Sequence, residues 1–222
     1  MANAPHTSLA TTRYWTVPIG RAAIALVAAV LITFNQDHSA SFGLLVFGGY
    51  AVLAGAFVAL AGYRSLTDPR DRQLFLVQGA VGIVAGALAL VFHAGGLGFF
   101  LFLVSVWGAV TGFLELYSGL RARRRVRGGA ASSARTPSAR TPSARTPSAL
   151  TARDWRSMGA LTAILALSFL LLPPNVVVSV GLLGAYLVIF GVYLIIAGLS
   201  LKWAATDDAR PLTPASNESD TL

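Results

Sequence analysis

Six apolar stretches, residues 15–34, 42–63, 74–92, 97–120, 155–172 and 176–201, divide the chain. Each approaches or exceeds the roughly 20 residues that a helix needs to cross about 30 Å of hydrocarbon. The polar residues between them fall into two kinds. The connections 35–41, 93–96 and 173–175 contain no Lys or Arg, whereas all 17 basic residues lie at the opposite ends of the apolar stretches. Basic side chains are retained in the cytosol during insertion. The pattern therefore predicts an all-α fold, a polytopic bundle of six transmembrane helices built as three helical hairpins, with both termini cytoplasmic. Arg21, near the start of the first span, can extend its guanidinium toward the headgroups, and local bilayer thinning accommodates the short fifth span.

The even-numbered spans repeat one another. In each, an aromatic residue is followed by Gly at the fifth and twelfth positions: Tyr50, Gly55, Gly62; Trp107, Gly112, Gly119; Tyr186, Gly191, Gly198. The odd-numbered spans offer Gly20, Gly79 and Gly159, each fourteen residues before the turn residue Phe34, His93 or Pro173. The unit is read as a hairpin used three times. The first span also has the look of a secretory signal, but its removal would leave one hairpin without its partner, so it is kept as a helix. Glycine at seven-residue spacing lets backbones approach where lipid gives helices no hydrophobic reason to associate. Gly55, Gly62, Gly108, Gly112, Gly119, Gly191 and Gly198 are the expected packing positions, and the same faces suit a homo-oligomer.

Composition agrees. With 55% hydrophobic and 12% charged residues and a mean hydropathy of +0.66, the chain has too little polar surface for a soluble globule, and the lipid bilayer is its first partner. The net charge of +8 is confined to loops, without the interleaved aromatics that stack bases, which argues against nucleic acid and for anionic lipid headgroups. There is no Cys, and His6, His38 and His93 are far apart in sequence. No metal or cofactor site is expected. Paired carboxylates, HExxH, GxSxG and phosphate-loop motifs are missing, so no catalytic residue is assigned. The expected organisation is a disordered segment 1–13, two hairpins over 14–120, a disordered basic linker 121–153 containing ARTPS three times, a third hairpin over 154–203, and a disordered tail 204–222.

Glu115 is the one acid well inside a span. At 100° per residue it shares a face with Gly108, Gly112 and Gly119, opposite Phe99, Leu103, Val106, Val110, Phe113 and Tyr117, so it should face protein. It lies about 9 Å inside the boundary marked by Arg121, at 1.5 Å per residue. Gln78 reaches the same depth on the third span, and aligning the spans from their turns makes Ile19 and Met158 its equivalents. A Gln78–Glu115 contact is inferred, with burial favouring a neutral acid that donates to the amide oxygen. Arg21 is the alternative partner.

The tripled hairpin, the Gly at the head of each odd span, the W/Y-x4-G-x6-G pattern of the even spans and the Arg-rich loop after the fourth resemble the HdeD-like family of acid-resistance membrane proteins, over residues 14–203 apart from the ARTPS insert. The resemblance implies a six-helix bacterial inner-membrane protein connected with acid or general stress, and carries over no catalytic residue. Two functions are open: a non-enzymatic stress protein acting through packing or partner contact, and a small proton-coupled transporter or channel using Glu115, since intramembrane acids commonly mark ion pathways.

Overall fold

The computed structural model describes residues 15–65, 69–133, 147–171 and 173–208, and the described chain is all helical. Six helices follow in order: α1 (Thr16–Phe34), α2 (Ala40–Ser65), α3 (Pro69–Val91), α4 (Gly96–Ser133), α5 (Pro147–Leu171) and α6 (Val176–Asp208). Five have an apolar stretch long enough to cross a membrane, and the shorter one, Arg156–Leu171 in α5, spans about 24 Å at 1.5 Å per residue. Their outward faces carry large apolar side chains such as Val27, Leu53, Phe102, Phe113, Ile164 and Ile196, all more than half exposed. A multi-pass membrane protein follows from these helices and faces.

α4 runs on to Ser133 and α5 begins at Pro147, so the segment 121–153, expected to be disordered, is helical at both ends. The expected tail is likewise helical to Asp208. The expected disordered segment 1–13, the Thr-Pro-rich residues 134–146 and residues 209–222 lie outside the described residues.

Short turns join α1 to α2, α3 to α4 and α5 to α6 at one end of the bundle, here the turn end. Local chemistry sets where these helices start. Ser39 Oγ accepts from Phe42 N–H at 3.2 Å ahead of α2, and Asn175 Oδ1 accepts from Val178 N–H at 3.1 Å ahead of α6, each satisfying one orphan amide. The chain enters α4 through its first residue, Gly96, at φ 75°, a left-handed conformation that an L side chain resists. The other end, the linker end, holds the α2–α3 and α4–α5 connections.

The helices form a closed ring in which each touches the next and α6 returns to α1. The most extensive contacts join α2 with α3, α4 with α5, and α6 with α1, while the partners within each expected hairpin touch less. α2 also reaches α4 and α6, which puts the even helices toward the axis. The ring thus consists of three antiparallel pairs, each formed by an even helix and the odd helix that follows it around the ring.

Glycine explains the closeness of these pairs. A Cβ on Gly55 would lie 2.7 Å from the carbonyl oxygen of Gly79, and one on Gly112 would lie 3.1 Å from that of Gly159. Both are tight enough to force backbones apart, so the small residues set the helix separation. In the third pair, Gly191 faces the carbonyl of Ala22, at 3.5 Å from an added Cβ, and the side chain of Leu26. Ala22 and Leu26 therefore stand where Gly79 and Ile83, or Gly159 and Ala163, stand in the other pairs. This corrects the assignment of Gly20 to that role: Gly20 packs instead against the ring of Phe57 on α2. The buried stripe of α1, with Ala22, Ala25 and Ala29, agrees with the shift, as it matches Gly79, Gly82 and Gly86 of α3. Counting from the turn failed because its reference residue Phe34 is the last residue of α1, whereas His93 and Pro173 lie two residues beyond the ends of α3 and α5 at Val91 and Leu171.

Toward the turn end the axis is apolar. Leu44, Phe47, Phe100, Val104, Val180 and Leu183 are almost wholly buried, with Phe47 edge-on to Trp107 at 5.3 Å and Phe100 edge-on to Phe169 at 5.7 Å between centroids. Leu103, expected on the lipid side of α4, is buried here, and Phe99 packs partly against the core. Val106, Val110, Phe113 and Tyr117 are exposed as expected.

Candidate functional site: a buried polar cluster

Toward the linker end the axis changes character. Glu115, 4% exposed, projects from α4 into the centre of the ring and receives a donor from each odd helix. Arg21 Nη2 of α1 donates to Oε1 at 2.8 Å, Gln78 Nε2 of α3 donates to the same oxygen at 2.8 Å, and Thr162 Oγ1 of α5 lies 3.4 Å from Oε2. The two expected partners are thus bound together. The direction of the Gln78 contact differs from expectation: its amide nitrogen gives a proton to the carboxylate, because the Arg21 guanidinium neutralises the charge that burial would otherwise oppose.

The register of α1 places these donors. With Ala22 equivalent to Gly79 and Gly159, Arg21 is equivalent to Gln78 and Met158, which corrects the match of Gln78 to Ile19. Arg21 and Gln78 therefore converge from symmetric positions on one acceptor. In the α5 repeat Met158 is buried and its carbonyl accepts from Thr162 Oγ1 at 3.0 Å.

A second layer supports the first. The Tyr186 hydroxyl of α6 lies 3.0 Å from Thr162 Oγ1. The Thr162 proton is directed at the Met158 carbonyl or Glu115, so the phenol serves as the donor to Thr162. Tyr186 stacks on Phe190 at 5.3 Å, and Phe190 lies under the Arg21 guanidinium, 5.3 Å from Cζ to the ring centre. α6 thus adds a cation–π contact and a hydrogen bond to the same cluster. Sequence reasoning missed Thr162, Tyr186 and Phe190. In the sequence pattern Tyr186 stands only as a repeat aromatic.

The expected packing glycines are all buried: Gly55, Gly62, Gly108, Gly112, Gly119, Gly191 and Gly198. Gly48 and Gly184 extend the ladders toward the turn end, where an added Cβ would meet Leu90 at 2.7 Å and Ile32 at 2.8 Å. Both stand seven residues before a repeat Gly, a spacing visible in the sequence. His38, His93 and Asp37 lie in the exposed turns, where Asp37 Oδ1 accepts from Ser39 N–H at 2.8 Å. At the linker end Lys202 Nζ sits 5.2 Å from the Trp15 ring centre and Arg72 Cζ 3.9 Å from that of Tyr63.

A repeat-built, all-helical membrane protein with a buried ionic cluster is the class that this geometry defines. The chain belongs to the family described as a short repeat of unknown function (DUF308), which matches residues 20–91 and again 77–133, together more than half of its length. The two matches begin 57 residues apart, the interval that separates Tyr50 from Trp107 and Arg21 from Gln78, in accord with the register of α1. Neither a curated protein nor a solved structure matches the chain.

Proposed function

We propose that this chain is a non-enzymatic protein of the bacterial inner membrane, with both ends in the cytosol, that serves acid or general stress resistance in the manner of HdeD-like proteins. In this reading the Arg21–Glu115 pair is a clasp that holds the ring closed. The observation that carries it is the convergence of Arg21, Gln78 and Thr162, one from each odd helix, on a single carboxylate. A carboxylate so occupied is engaged in holding helices, and a proton carrier would need to release those partners in every cycle. The basic residues at the linker end support the cytoplasmic orientation and contact with anionic headgroups, and the exposed Gly98 and Gly181 leave room for a second copy of the chain.

A deletion strain tests the proposal. It should lose survival after acid challenge and regain it with the wild-type gene and with the paired variant Arg21→Met/Glu115→Met. Unchanged survival of the deletion strain would remove the stress role. Solute or proton flux in proteoliposomes that Glu115→Gln abolishes in folded protein would replace the clasp by the transporter reading. Orientation is accessible directly, since a chain without Cys allows a single Cys at Ala139: labelling from outside the cell would overturn the assigned topology.

A further inference from the structure

Two buried polar atoms in the cluster have no hydrogen-bond partner among the described residues: Arg21 Nε and Thr111 Oγ1. Both residues line one small cavity, bounded also by Tyr50, Ala54, Gln78 and Trp107. We propose that this cavity is a binding site for a structural water molecule that joins α1 to α4. The space open to water centres is about 20 Å³, and a single bound water needs roughly 10–15 Å³ by that measure. Charge selects a neutral occupant, because the guanidinium is already balanced by Glu115 at 2.8 Å. The donors and acceptors also match: Arg21 Nε–H can only donate, the Thr111 hydroxyl can donate or accept, and water completes both.

The repeat explains why the recess lies at this position. Four residues after the aromatic of each even helix stand Ala54, Thr111 and Phe190. Phe190 covers one face of Arg21 with its ring, Thr111 offers a hydroxyl, and Ala54 is too small to fill what remains. An Ala in one repeat, beside an Arg whose equivalents are Gln78 and Met158, creates this polar recess.

The sign of one substitution separates a hydrated site from a dry void. Thr111→Val keeps the shape and removes the hydroxyl. If water links Arg21 to Thr111, the variant loses that link and its Tm in lipid nanodiscs falls by several degrees. If the cavity is dry, Thr111→Val merely removes an unsatisfied buried hydroxyl, so its Tm stays the same or rises. In the Arg21→Met/Glu115→Met background, where Nε is gone, Thr111→Val should have no such effect, and an equal fall there would overturn the proposal. A structure of the full chain at about 2 Å decides independently: density within hydrogen-bond distance of both atoms is expected. Its absence, or a density that strengthens when chloride is replaced by bromide, would overturn the water assignment.

Discussion

The two ends of the bundle axis solve the same problem by different means. At the turn end, α2, α4 and α6 meet through Leu44, Phe47, Phe100, Val104, Val180 and Leu183, and cohesion there rests on the fit of apolar surfaces. At the linker end, the axis is organised around Glu115, Arg21, Gln78, Thr162 and Tyr186. Apolar packing in lipid is additive and tolerant, since lipid tails compete for the same surfaces. A buried ion pair is neither. It is costly to break, adds little over a well-packed apolar substitute, and fixes which helix sits beside which. The turn end gives the ring its bulk cohesion, and the linker end specifies its order, above all the place of α1.

The largest effects should expose this difference through rescue. Phe100→Ala at the turn end should cost about 3–5 kcal/mol by opening a cavity. Glu115→Ala should cost about 3–5 kcal/mol by leaving a buried guanidinium unpaired. Thermal unfolding followed by size-exclusion chromatography in detergent would register both as loss of the monodisperse peak. Arg21→Met/Glu115→Met should recover most of the Glu115→Ala loss because the charges leave together. A double variant as unstable as Glu115→Ala would show that the clasp contributes more than compensated charge.

Next in size is the spacing of the pairs. Gly112→Val forces a branched side chain against the Gly159 carbonyl and the Ala163 backbone nitrogen, 3.1 and 3.0 Å from a bare Cβ, and should cost about 1–3 kcal/mol through overpacking. Gly191→Val meets the Ala22 carbonyl at 3.5 Å and the flexible end of Leu26, so it should cost less. The difference in Tm between the two variants measures how much looser the α6–α1 pair is than the α4–α5 pair. Equal losses would remove the distinction.

Much of this arrangement was legible in the sequence because its causes are periodic. The apolar runs, the seven-residue glycine spacing and the burial of Glu115 each follow from helix geometry applied to one segment. The pairing of Gln78 with Glu115 was legible too, since both lie at one depth on neighbouring helices. The register of α1 was hidden because Phe34, matched to the turn residues His93 and Pro173, still belongs to the helix, and where a helix ends within an apolar run is not marked by the sequence. Gly20 drew the alignment to itself, although Arg21 to Gln78 repeats the 57-residue interval of Tyr50 to Trp107. Thr162 and Tyr186 could not be found from one segment at all. Their role depends on α5 packing beside α4 and on α6 closing the ring between α5 and α1, and such a closure leaves no local signal.

The smallest effect concerns that closure. Tyr186→Phe removes the hydroxyl 3.0 Å from Thr162 Oγ1 but keeps the ring stacked on Phe190. It should cost about 0.5–1.5 kcal/mol, the net worth of one intramolecular hydrogen bond. If the phenol acts through Thr162 on the carboxylate, the loss should shrink in Thr162→Val, where the intermediary hydroxyl is gone, and a double-mutant cycle on Tm would report coupling between the two sites. Additive losses would instead make Tyr186 a packing residue like those of the turn end, and the polar cluster would then be held by the odd helices and α4 alone, with α6 contributing only the face of Phe190.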